Sequence, residues 1–161
     1  MKERIEMSPE FRSLLDKMPS LLEQLLAMEP VEKTNFPTKC IKKGVYLFTD
    51  PYTDEHLYVG RSDNIRRRWG LHCNPGSQHN QASFALKMAR VETNIVRDYQ
   101  MGTKTQLIEY PKFKHAFEVA KKQVQKMKFR YVEVSDSNTQ SLLEFYAAIT
   151  LETRHNSFEN H

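Results

Sequence analysis

The sequence predicts an α/β (α+β) domain: a small three-stranded antiparallel sheet, made of a β-hairpin and one later strand, flanked by helices and preceded by a helical extension. Three observations carry this. Residues 45–49 and 56–59 are rich in aromatic and β-branched types and flank the turn-forming segment Asp50-Pro51-Tyr52-Thr53-Asp54-Glu55. Residues 129–134 alternate with period two much later in the chain. Around these runs, apolar residues recur at helical spacing.

Each element has its own reason. Ser8 is a suitable N-cap, Pro9 fits the first helical position and Glu10 suits the first turn, so a helix opens there with Phe11, Leu14, Leu15 and Met18 on one side. Pro19 removes a donor inside that pattern, and Leu21, Leu22, Leu25 and Leu26 continue the stripe to about Met28, which predicts two short helices or one kinked helix. Pro30 and Pro37 mark residues 29–38 as a linker. In the hairpin, alternation sends Tyr46 and Phe48 to one face and Val45 and Leu47 to the other. After Gly60, Ser62-Asp63-Asn64-Ile65 provides an N-cap for a short helix that buries Ile65, Trp69 and Leu71 or His72 and presents arginines elsewhere. Asn74-Pro75-Gly76-Ser77 ends it.

Residues 82–94 form a second amphipathic pattern through Phe84, Leu86, Met88 and Ala89. Residues 95–110 are ambiguous, and residues 111–128 read as a helix burying Phe113, Phe117, Ala120, Val124 and Met127. Beyond the third strand, Ser135-Asp136-Ser137-Asn138 reads as a turn and Thr139 as the cap of an apolar helix over 142–151, with Glu144 in its first half. Residues 155–161 show no regular pattern.

The 161 residues amount to about one domain. With 39% apolar and 27% charged residues, seven prolines and five glycines, disordered, collagen-like and low-complexity classes are excluded. No stretch approaches the ~20 apolar residues of a membrane span, and the first ten residues are charged, so a cytoplasmic protein without a membrane partner is expected. Cys40 and Cys73 lack C-x-x-C spacing and are expected to be reduced, buried thiols. Five of the six histidines, His56, His79, His115, His155 and His161, form no zinc pattern and read as surface or loop imidazoles. The leucine-rich N-terminal helices read as scaffold, or as a surface for a second copy or a partner protein.

The net charge of +4 is unevenly spread. Residues 1–30 carry −2 and residues 131–161 carry −4, which leaves +10 for the middle. Arg61, Arg66, Arg67 and Arg68 against Asp63 make one cluster; residues 112–130, seven basic side chains against Glu118, make another. Such focusing suits a polyanion, and the lysine-rich helix is either part of that surface or a solvated face.

The most informative pattern is Gly44-Val45-Tyr46, then eleven residues, then Tyr58-Val59-Gly60, running directly into Arg61-Ser62-Asp63-Asn64-Ile65-Arg66-Arg67-Arg68. This closely resembles the GIY-YIG nuclease family, whose pattern has two tyrosines on adjacent strands, a basic residue after the second, an arginine on the first helix and a glutamate on a later one. Those roles fall on Tyr46, Tyr58, Arg61, Arg68 and Glu144, the last between Leu142-Leu143 and Phe145-Tyr146. Asn156 matches an asparagine that often follows the glutamate. The resemblance spans residues 41–158, so the chain divides into a helical extension and linker, 1–38, and a nuclease domain, 39–161. A basic helical insertion at about 78–128 is one the common family core does not specify.

The resemblance implies hydrolysis of a DNA phosphodiester with a single divalent ion, Mg²⁺ or Mn²⁺, held by Glu144, a hard oxygen ligand that leaves room for water. Tyr46 resembles the general base, but a free phenol has a pKa of about 10, so nearby cations such as Arg61 and Arg68, or the metal, are expected to lower it. Tyr58 is expected to position water or a phosphate oxygen. Arg68 offers a permanently charged fork to the scissile phosphate, and Arg61 stands where the family often has lysine. His72, four residues past Arg68 on the same helix face, either assists, as a histidine does in some relatives, or simply ends the helix. Asn156 either orients the metal-bound water or caps the tail. Arg66 and Arg67 are expected to contact backbone phosphates or solvent. Lys87 and Arg90, behind the polar run Gln78-His79-Asn80-Gln81, and Lys121, Lys122, Lys126 and Lys128 complete the expected nucleic-acid contacts. No zinc finger or helix-turn-helix accompanies them, which points to low sequence specificity or structure selectivity, with repair or processing as the setting. The alternative is a non-catalytic nucleic-acid-binding or regulatory module on the same fold.

Overall fold

The computed structural model describes residues 6–32, 35–36, 42–95 and 102–158. Cys40 and His161 lie outside them. Among the described residues the elements run α1 (Pro9–Ala27), β1 (Gly44–Thr49), β2 (His56–Ser62), α2 (Ile65–Cys73), α3 (Ser83–Thr93), α4 (Lys104–Glu109), α5 (Pro111–Gln125), β3 (Lys128–Glu133) and α6 (Ser137–Thr150). The strands pair antiparallel in the order β2-β1-β3, with β1 in the centre.

The predicted alternation divides the interior in two. Tyr46 and Phe48 join an aromatic core with Tyr58, Trp69, Phe84, Phe113, Phe117 and Phe129, covered by α2, α3 and α5. Val45 and Leu47 join an aliphatic core with Val59, Val132 and Leu143, covered by α1 and α6. One sheet face is thus rich in groups able to hold polar tips at the ends of apolar rings, and the other serves as support. Each outer edge of the sheet is covered: Val31 N–H donates to Phe129 O on the β3 side at 2.8 Å, and His155 N–H donates to Leu57 O on the β2 side at 3.2 Å. The linker also sends Phe36 into the aromatic core, 5.4 Å from the Trp69 ring.

The helices correct several expectations. Pro19 does not divide the N-terminal segment; α1 is one continuous helix. Pro19 lies on the exposed side, where water can take the carbonyl that loses its donor, while Met18, Leu22 and Leu25 hold the opposite side in the core. Met18, Leu22 and Leu25 of that stripe therefore pack within the chain, against the aliphatic face of the sheet. The ambiguous segment contains α4, opened by a capping box between Thr103 and Gln106. Helix α5 ends at Gln125, so Lys128 is the first residue of β3. Helix α6 starts before its predicted position, because Asp136 and not Thr139 is the cap: its carboxylate accepts from the Thr139 N–H at 2.7 Å and hydroxyl at 2.6 Å. Cys73 is buried, its Sγ 3.3 Å from the Trp69 carbonyl oxygen.

Candidate active site

The register of the hairpin creates the space for the site. Tyr46 in the central strand stands opposite Gly60 of β2. A methyl group on Gly60 would run into the Tyr46 hydroxyl and ring edge. The absent side chain lets the phenol lie across the neighbouring strand, stacked on Phe129 at 5.5 Å and 1% exposed.

Helix α2 meets that hydroxyl. Its start is fixed by Asn64, whose Oδ1 accepts from Arg67 N–H at 3.0 Å, and this phase puts Arg68 and His72 one turn apart on the inward side. The Tyr46 hydroxyl is 2.8 Å from His72 Nε2. Arg68 Nε–H donates to the same oxygen at 3.4 Å, and Arg68 Nη2 donates to Ser83 Oγ at 3.0 Å. Burial, aided by the positive charge of Arg68, pushes the His72 pKa down to about 3. The imidazole is therefore neutral near pH 7, and in the tautomer that carries its hydrogen on Nδ1, Nε2 accepts the phenolic hydrogen. Nδ1 is buried and has no hydrogen-bond partner among the described residues.

The expectation that cations depress the Tyr46 pKa is overturned for the protein's own groups. Burial pushes it well above that of a free phenol and the Tyr58 phenol adds to this; Arg68 favours the phenolate by charge and hydrogen bonding, but desolvation is the larger effect. Burial also raises Tyr58, whose ring stacks on Phe84 at 4.7 Å.

Glu144 comes from α6, which packs against β2 and β1. Its Oε2 accepts from Arg61 Nε–H at 3.0 Å, and its side chain is 23% exposed. The charge of the carboxylate adds to the raised pKa values of both phenols. Its own pKa is raised by burial, against the opposing pull of Arg61, Lys87 and Arg68. The site thus sets three cations around one carboxylate, a balance suited to a phosphate. Lys87 on α3 holds its ammonium 5.4 Å from the centre of the Tyr58 ring.

The remaining expected residues are dispersed. Arg66, Arg67, Lys122 and Lys126 are exposed, and Arg90 is half-buried. Lys121 is turned inward and 5% exposed, donating to Pro75 O at 2.6 Å and Ser77 O at 3.1 Å, so its ammonium anchors a loop and does not join the open face. Lys128 is held by Asp54 at 2.5 Å. The Asn156 amide pairs with both backbone groups of Val59, accepting from N–H and donating to O at 2.8 Å each, and also accepts from Thr153 Oγ1 at 2.8 Å. It acts as a short extra strand that fastens the tail to β2.

Sequence reasoning missed Ser83, which orients Arg68 and also hydrogen-bonds Tyr58. The one available hint is its spacing of four from Lys87, which puts the two on one helix face.

A family model described as the GIY-YIG catalytic domain matches residues 42–156. No curated protein and no solved structure gives a significant match.

Proposed function

Because the chain belongs to the GIY-YIG family, a family of nucleases, we propose that it is a metal-dependent endonuclease that hydrolyses DNA phosphodiesters with low sequence specificity or with selectivity for DNA structure. The observation that carries this reading is the convergence of Tyr46, His72, Arg68, Tyr58, Arg61 and Glu144, from two strands and two helices, around one hydroxyl and one carboxylate.

The donor set fits a hydrated hard cation. Among the described residues no three His, Cys, Asp or Glu side chains gather into a cage, whereas Mg²⁺ and Mn²⁺ accept one carboxylate and keep several waters. Glu144 would hold the ion. When bound it supplies positive charge to the non-bridging and leaving oxygens of the ester.

The chain's own groups account for the proton. As the attacking water forms its bond to phosphorus, its proton passes to the Tyr46 oxygen, and the phenolic hydrogen passes to His72 Nε2. Tyr46 need not exist as a free phenolate, which its burial disfavours. A buried imidazole is a weak acceptor on its own, but the phosphate brings negative charge beside it, and that charge favours the imidazolium. Arg68 donates to the oxygens on which charge grows, with Ser83 fixing its fork. The phosphorus bond to the leaving sugar oxygen then breaks and that oxygen takes a proton from solvent. Arg66, Arg67, Lys122 and Lys126 supply sequence-independent backbone contacts.

Cleavage of supercoiled plasmid, flap and branched DNA with Mg²⁺ or Mn²⁺ tests the reading. The parent protein nicks or linearises at least one substrate, while Glu144→Ala, Tyr46→Phe and Arg68→Ala lose cutting and largely keep binding. A parent that binds DNA but cuts none of these substrates refutes catalysis and leaves a binding module.

A further inference from the structure

The two interior-facing lysines of the middle segment differ in one respect. Lys121 donates to two carbonyl oxygens and is complete. Lys87 is half-buried, and among the described residues its ammonium has no hydrogen-bond acceptor; its neighbours are the Tyr58 ring face at 5.4 Å and the charges of Glu144 and Arg90. A partly desolvated ammonium with unused donors is costly unless an anion completes it.

Its position says which anion. Lys87 lies one helical turn beyond Ser83, and Ser83 holds Arg68. Helix α3 is itself fixed against the site by the stacking of Phe84 on Tyr58, with an interplanar angle of 7°. One face of α3 therefore places a hydroxyl against the arginine fork and an ammonium above the second phenol, on the side toward Glu144. Arg68 approaches the same space from α2.

Resting on the nuclease reading, we propose that Lys87 is a phosphate ligand of the active centre: its ammonium binds the phosphate that Arg68 also contacts, from the Tyr58 side, and neutralises charge that grows there during attack. Helix α3 thereby supplies a catalytic cation from the basic insertion. The displacement of its pKa below that of a free lysine, caused first by burial, agrees with an ammonium held out of bulk water. The ring beneath it keeps the cation in place before substrate arrives.

The test uses the full chain and two readouts. In the first, the side-chain methylene NMR signals next to the Lys87 ammonium are followed during titration with thymidine 3′,5′-bisphosphate, without metal. They shift in step with saturation, and Lys87→Gln weakens binding of this probe by about tenfold. In the second, single-turnover cleavage of the plasmid at saturating protein falls about 30- to 100-fold in Lys87→Gln, while affinity for a long duplex changes less than about threefold, since many other phosphates remain bound; Lys87→Arg restores a large part of the rate. An unmoved Lys87 signal at probe saturation overturns the proposal, as does a Lys87→Gln protein that cuts at the parent rate. If the parent cuts nothing, the nuclease reading fails with the catalytic role of Lys87, and the titration separately decides whether Lys87 binds the phosphate. Thermal melting of each variant within a few degrees of the parent shows that the fold is intact.

Discussion

Replacing His72 with phenylalanine separates the packing of this ring from its proton chemistry. The imidazole is enclosed by Tyr46, Phe48 and Tyr58, with ring centroids 5.4 to 5.8 Å away, so an aromatic substitute fits the site. At pH 7.5 the variant leaves the Tyr46 hydroxyl without its acceptor, a cost of about 1–3 kcal/mol. Acid changes the comparison. A histidine with a pKa of 6.5 in the unfolded chain and about 3 in the fold is protonated only when unfolded between those values, so its stability contribution is intact above pH 6.5 and falls as the pH drops toward 3. Between pH 7.5 and pH 5 the parent should lose about 2 kcal/mol through this residue, and His72→Phe should lose none of it. His155, lowered by burial to about 4, adds a loss to both proteins and cancels. Urea unfolding at the two pH values measures the difference: the stability gap of pH 7.5 should shrink by about 2 kcal/mol at pH 5. A gap that does not change with pH would refute the assignment of a neutral, buried imidazole. Cutting should fall about 10²-fold in the variant if the phenolic hydrogen passes to Nε2.

Further substitutions test the remaining parts. Gly60→Ala forces the Tyr46 ring from its place, so it should cost about 1–3 kcal/mol by thermal or urea melting and remove cutting together; an active, equally stable protein would contradict the packing. Lys121→Met leaves two loop carbonyls without a donor and should destabilise the fold by about 1–3 kcal/mol without changing the salt dependence of DNA binding, whereas Lys122→Gln should leave melting unchanged and flatten the slope of log affinity against log salt by close to one. Arg61→Gln releases Glu144 from its exposed ion pair, so calorimetry should show Mn²⁺ binding without DNA strengthened by up to about fivefold, with DNA affinity reduced; unchanged Mn²⁺ binding would mean that the pair does not compete with the ion.

What the sequence determined by itself is the local geometry. Period-two alternation is a property of the extended backbone, so the partition of Tyr46 and Phe48 from Val45 and Leu47 follows from their order alone. The Asn64 cap sets the phase of α2, and a spacing of four puts Arg68 and His72 on one face wherever that helix packs. The glycine opposite Tyr46 was visible in the motif, although its purpose, space for a ring, needed the strand register. Tertiary structure decided everything that depends on burial or on partners distant in the chain. Pro19 passes through a continuous helix because its neighbours lock into a core that no local rule describes. Lys121 and Lys122 are adjacent cations, yet one is buried under a loop and the other meets solvent. Glu144 meets Arg61 across 83 positions of sequence, and the charge states of Tyr46 and His72 follow from desolvation, which exists only once the helices close over the sheet.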